Sequence, residues 1–83
     1  LWRGVMHLSE LTLGTRATVI EVSNLTEPDP IAMRLRDLGF VAGEPVSLVA
    51  HGPFGADPML VQIGFTRFAL RRSEAARVEV AHV

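Results

Sequence analysis

Residues 45–71 read PVSLVAHGPFGADPMLVQIGFTRFALR. In residues 45–51 the apolar Val46, Leu48 and Ala50 alternate with Ser47, Val49 and His51, the period of two that lays one face of a strand on a core. Residues 59–64 (MLVQIG) alternate again, and residues 66–71 (TRFALR) make a third run. Two Gly and two Pro fall within residues 52–58, which predicts a long hairpin loop there. Gly64-Phe65-Thr66 predicts a turn or a bulge. Three short antiparallel strands therefore stand at the centre of the chain.

Working outward, residues 15–23 (TRATVIEVS) are rich in β-branched side chains and read as a strand. Its apolar residues fall on both faces, Ala17 and Val19 against Ile20 and Val22, which predicts a central or bulged strand. Residues 77–83 supply a closing strand with Val78 and Val80 on one face. Asp29 is a candidate helix cap, Pro30 suits the first helical position, and Ile31, Leu35 and Leu38 recur at helical spacing. Gly39 follows as a left-handed stop, so a helix is predicted over residues 30–38. Single turns are predicted at 9–11 and 73–76, capped by Ser9 and Ser73. The expected fold is mainly β: a small barrel of about five strands with one inserted short α-helix, in one domain over residues 1–83. Closure into a barrel removes the exposed edges of an open sheet. Met6 is a candidate start, which would leave residues 1–5 upstream of the domain.

Eighty-three residues leave no room for a second domain. The composition, 48% hydrophobic with a net charge of -1, excludes a disordered chain. It also argues against nucleic acid as a partner, since eight Arg, with no Lys, are matched by nine acids. An RNA-binding barrel would need exposed aromatics, for which Phe65 and Phe68 are candidates, though a core role is expected for at least one. No apolar run approaches the roughly 20 residues that span a bilayer, so no membrane insertion is expected and the cytoplasm is the default location. Without cysteine, disulfides and thiolate metal sites are excluded.

Catalysis finds no foothold in the residue pattern. Four Ser are available at 9, 23, 47 and 73, none in a nucleophile-elbow context, and no phosphate-binding loop ends in Gly-Lys-Ser/Thr. The expectation is a protein that is not an enzyme and requires no cofactor. A metal is weighed separately. His7 and Glu10 are three apart, so one turn brings them to one side, and Asp57 is expected across the hairpin from His51. Such His/carboxylate ligands suit Fe2+ or Zn2+. The competing reading is solvent-exposed histidines. On the predicted helix, Met33 falls opposite the Ile31–Leu35–Leu38 stripe, beside Arg36. Met and Arg are both favoured on protein interfaces. Met33, Arg34, Arg36 and Phe40 form the candidate partner contact. A weak homodimer is a candidate state, with residues 81–83 (AHV) extending a strand into a neighbour.

The order of these residues resembles a family. Leu8-x-x-Leu11, Gly14 and Val19-Ile20 come first; Arg34-Leu35-x-x-Leu38-Gly39-Phe40-x-x-Gly43 is the centre; Asp57-Pro58 precedes an alternating strand; Phe68-Ala69-Leu70-Arg71-x-x-Glu74-Ala75-x-x-Val78-x-Val80 ends the pattern. Together they resemble the ferrous iron transport protein A (FeoA) family over residues 6–80. Leu35, Leu38, Gly39, Gly43, Leu70 and Ala75 are read as fold determinants, with Phe40 leading the chain from the helix back to the core. The resemblance implies an SH3-like β-barrel with an inserted helix. It further implies a cytoplasmic accessory protein that supports or regulates FeoB, the membrane ferrous iron transporter with a GTPase domain. The alternative is a metal-responsive, iron- or zinc-binding regulatory domain akin to the C-terminal domain of DtxR-type repressors. Domain length and the lack of DNA-binding helices favour the free-standing accessory protein. One departure bears on recognition: with no Tyr, and with its one Trp at position 2, the chain is not expected to bind proline-rich peptides as SH3 domains do.

Overall fold

The computed structural model describes residues 6–55 and 57–82. Six strands form one antiparallel sheet: β1 (Met6–His7), β2 (Arg16–Val22), β3 (Pro45–Phe54), β4 (Asp57–Ile63), β5 (Thr66–Leu70) and β6 (Val78–His82), in the spatial order β1-β6-β2-β3-β4-β5. This is the mainly β, SH3-like arrangement. The strand beyond the expected five is β1, a two-residue segment whose Met6 and His7 pair with Val80 and Glu79. The described sheet is open, with β1 and β5 at its edges, rather than a barrel closed by pairing.

Strand β2 is central, flanked by β3 and β6, and its register shifts between Val19 and Glu21. That irregularity is how one short strand places apolar residues on both faces: a bulge re-aims the side chains that follow it. The β3–β4 hairpin is longer than expected. Pairing continues from His51↔Met59 to Phe54↔Asp57, so most of residues 52–58 is strand rather than loop. The register is irregular between His51 and Phe54, and Pro53, with no N–H to donate, is tolerated at such a break. Asp57 therefore stands opposite Phe54, and the expected pairing of Asp57 with His51 is not formed.

Inward positions build the core from Val19, Leu48, Met59, Val61, Val78 and Val80, all at most 1% exposed. Helix α1 (Pro30–Leu38) covers it with the buried Ala32 and Leu35, while Ile31 and Leu38 pack at its margin. The helix bounds follow from local chemistry. Asp29 Oδ1 accepts from the N–H groups of Ile31 and Ala32, both at 3.1 Å, and Pro30 occupies the first turn, where an N–H has no partner in the helix. At the other end Gly39 adopts φ 112°. The N–H of Phe40 reaches Leu35 O and that of Gly39 reaches Arg36 O, each at 3.1 Å. These are the two bonds of a Schellman stop, and they carry Phe40 down beside Leu35. Gly43 (φ 93°) then lets its N–H meet Val19 O at 2.8 Å, tying the loop to β2 before β3 begins. Leu70 and Ala75 are buried in the same core.

The two short turns share a device. In the 3-10 turn Leu8–Glu10 the Glu10 carboxylate accepts from His7 N–H at 2.7 Å; in α2 (Arg72–Ala75) Glu74 accepts from Arg71 N–H at 2.8 Å. Each Glu at the third position reaches back to the cap residue. Ser9 and Ser73 sit inside these turns, and the caps are His7 and Arg71, which corrects the expectation that the serines cap. Residues 81–82 pair with Thr18 and Ala17 of their own chain. Residues 1–5, with Trp2 among them, Ala56 and Val83 lie outside the described residues. Among the described residues, no helix is long and apolar enough to cross a membrane.

Candidate functional site

The helix that carries the candidate partner contact is held by a buried ion pair. Arg77, 8% exposed, sends its Nε to Asp29 Oδ2 at 2.8 Å and its Nη1 to Ser73 O at 2.7 Å. Asp29, 1% exposed, also accepts from Leu25 N–H on Oδ2 at 2.8 Å. One carboxylate thus joins the 25–29 loop, the first turn of α1 and the residue that leads into β6. The Arg77 hydrogen bond, aided by the backbone N–H donors, outweighs burial and holds the Asp29 carboxyl well below the usual carboxylate range. The sequence marked Asp29 as a cap. Its partner lies 48 residues away and leaves no local signal.

On this fixed helix Met33 is 56% exposed and Arg34 is exposed on the same outward side. Arg34 also lines an open groove with Ile31, Pro58, Ala69, Arg71 and Ser73. Arg36 is exposed but committed to the fold. Its Nη2 donates to Val22 O at 2.7 Å and to Asn24 Oδ1 at 2.8 Å, pinning the loop that leaves β2. Phe40 does not present its ring to a partner. It is 1% exposed and packs against Phe68, ring centroids 6.0 Å apart. It is a core residue, which removes it from the candidate contact.

The candidate metal ligands divide. His7 Nδ1 and Glu10 Oε1 are 3.4 Å apart at the start of the 3-10 turn. The Glu10 carboxyl is lowered, first by the hydrogen bond from His7 N–H and then by the His7 side chain. His51 is exposed on β3. Asp57 is engaged elsewhere, accepting from Arg72 N–H at 3.0 Å. Among the described residues no three His, Asp or Glu side chains gather as a metal-holding group. The pair His7–Glu10 supplies two donors, half of what a tetrahedral zinc shell takes, so these residues do not complete a metal site by themselves.

Phe65 stands fully exposed at the β4–β5 turn, while Phe68 packs, partly buried, against the core, in keeping with the expectation of a core role for at least one of the two. The signal available was its place between two alternating runs, where a hairpin turn holds its side chains away from the sheet.

Comparison with known proteins places these features. The model of the FeoA domain matches residues 6–82. An Fe(2+) transport protein A/Fe(2+) transporter FeoB fusion protein of Porphyromonas gingivalis is 33% identical over 75 residues, which cover 90% of this chain and 8% of the fusion protein. Among solved structures, the zinc complex of FeoA from Stenotrophomonas maltophilia is 63% identical with a TM-score of 0.85, covering 90% of this chain and 88% of that one. It is described as a prokaryotic SH3 domain protein and a candidate ferrous iron transport activating factor. A manganese-dependent transcriptional repressor, 17% identical with a TM-score of 0.79 over all of this chain and 44% of its own, shares the fold alone. With the domain matched from β1 to the end of β6, this chain belongs to the FeoA family.

Proposed function

We propose that this chain is a non-enzymatic cytoplasmic accessory protein that binds the cytoplasmic part of a FeoB-type ferrous iron transporter and supports or regulates it. The observation that carries this reading is the Porphyromonas gingivalis protein in which the FeoA and FeoB parts are one polypeptide. Fusion holds two functions at one place and raises their effective concentration. The present chain spans only 8% of that relative's length. In this reading the outward face of α1, with Met33 and Arg34, contacts the transporter. Met33 supplies an adaptable apolar contact and Arg34 a planar cation. The test is a calorimetric titration of the chain against the transporter's cytoplasmic domains. Saturable binding that Met33→Asp and Arg34→Glu weaken is the expected result. Unchanged affinity in both variants would remove α1 as the contact, and absence of binding by the unaltered chain would sink the reading.

A second reading is favoured by one observation, the zinc complex of the Stenotrophomonas relative. In it, Zn2+ or Fe2+ takes His7 and Glu10 and acquires its remaining ligands from a second copy or a partner, making the domain metal-responsive. Zinc titration of the chain and of His7→Ala separates the cases: no saturable uptake at micromolar metal ends this reading.

A further inference from the structure

Register alone lines up four side chains across the outer face of the sheet. Arg16 of β2 pairs with Ser47 of β3, Ser47 with Gln62 of β4, and Gln62 with Arg67 of β5. Directly paired residues share a face, so the row presents two guanidinium groups flanking two neutral polar groups. Arg67 Nε donates to Gln62 Oε1 at 3.0 Å, and Gln62 Nε2 donates to Gly64 O at 3.2 Å. These bonds orient the middle of the row toward the turn. There Phe65 projects with its whole ring in solvent. Arg16, Ser47, Gln62 and Phe65 line one open groove with Pro45 and Val46, and no carboxylate lines it. Among the described residues, neither Arg16 nor Arg67 has an acidic side chain within ion-pair distance.

A fully exposed Phe leaves its apolar surface in water, from which burial would remove it favourably. Aromatic and Arg side chains together are what interface centres are enriched in. We infer that this face, centred on Phe65 and flanked by Arg16 and Arg67, is a second docking surface. Its occupant is an acidic protein segment that carries an apolar side chain to cover the ring. The inference rests on the accessory-protein reading and assigns the segment to the cytoplasmic part of the same transporter, at a surface apart from α1. Charge complementarity selects the occupant: the face carries two cations in a chain whose net charge is -1. A nucleic acid fits less well, since two cations and one ring cannot track a phosphate backbone.

The test titrates the full chain, Phe65→Ser, Arg16→Glu and Met33→Asp against the transporter's cytoplasmic domains, with poly(U) as a parallel probe. Thermal melts check that each variant keeps its fold. Phe65→Ser is expected to weaken binding at least about tenfold. Arg16→Glu is expected to weaken it and to flatten its dependence on salt. If the unaltered chain binds and both variants match it, this surface is overturned while the accessory reading stands. If the unaltered chain does not bind, both fall. Binding of poly(U) that depends on Phe65 would overturn the protein occupant.

Discussion

Arg77 Nε lies 2.8 Å from Asp29 Oδ2, buried, and joins the first turn of α1 to the entrance of β6. Every other lone pair that the Asp29 carboxylate offers toward the loop or helix meets a backbone N–H, from Leu25, Ile31 or Ala32. Removing one partner of such a pair strands the other's charge away from water. Arg77→Met is therefore expected to lower the melting temperature by about 10 °C or more. Asp29→Asn should cost a comparable amount: its amide oxygen still accepts from the helix, but its NH2 meets the donors of Leu25 and Arg77 and leaves the buried Arg77 charge unpaired. Circular dichroism melts of the two variants and their double mutant check this. A double mutant no worse than Arg77→Met would show that the two act as one unit.

The same pair sets a pH dependence. The Asp29 carboxyl titrates below its ordinary value of 3.8 in the folded chain. The unfolded chain therefore binds the proton more readily, and stability falls as pH falls. The contribution is fully present above about pH 4 to 5 and is lost progressively below that, as the pH approaches the folded-state value. Stability measured from pH 7 down to about pH 2 should drop more steeply for the unaltered chain than for Asp29→Asn. Parallel curves would show that Asp29 is not the group responsible.

Phe40 and Met33 should separate in a stability measurement. Phe40 is buried against Phe68 and Leu35's turn, so Phe40→Ala is expected to cost about 3–5 kcal/mol. Met33 lies outside the core, and Met33→Ala should stay within about 0.5 kcal/mol of the unaltered chain. Urea denaturation reads both. Equal losses would contradict the division of α1 and its exit into an outward face and a core anchor.

Glu21 of β2 stands directly opposite Glu79 of β6, two like charges across a strand pair. Ser23 Oγ donates to Glu79 Oε2 at 2.6 Å and satisfies one side of it. Like charges in that position are unfavourable. Glu21→Arg is expected to stabilise the chain by about 0.2–1 kcal/mol, read as a higher urea midpoint at unchanged slope. Unchanged or lower stability would show that the Ser23 bond already offsets the repulsion.

How much of this was legible depended on whether the cause was local. The helix bounds were readable because Asp29, Pro30 and Gly39 act on groups within a few residues, and the structure places α1 at Pro30–Leu38. Gly52, Pro53 and Pro58 are turn formers in isolation and by themselves point to a long loop between β3 and β4. Pairing from β4 overrides that preference as far as Phe54↔Asp57. The Asp29–Arg77 pair and the row from Arg16 to Arg67 are products of tertiary register, and no window along the chain contains them. Phe40 illustrates a third case: just past a helix stop it reads both as a partner contact and as the chain's return to the core, and the Schellman geometry decides for the core.

The two arginines of α1 make the sharpest surface prediction, because they look equivalent in sequence and differ in what they hold. Arg36 bonds Val22 O and Asn24 Oδ1 and so fixes the 23–29 loop on which Asp29 sits. Arg36→Glu would lose both bonds and face Val22 O with a carboxylate, so it should destabilise by about 1–3 kcal/mol. Its effect on binding would follow from that loss. Arg34 makes no hydrogen bond or ion pair among the described residues, and Arg34→Glu should leave the melting temperature within about 3 °C of the unaltered chain. If α1 contacts the transporter, Arg34→Glu weakens binding at unchanged stability, mostly through slower association at low salt. Melts and association rates measured on both variants decide it. Loss of binding in Arg36→Glu alone, accompanied by loss of stability, would mean that the helix face is scaffold and that the contact lies elsewhere.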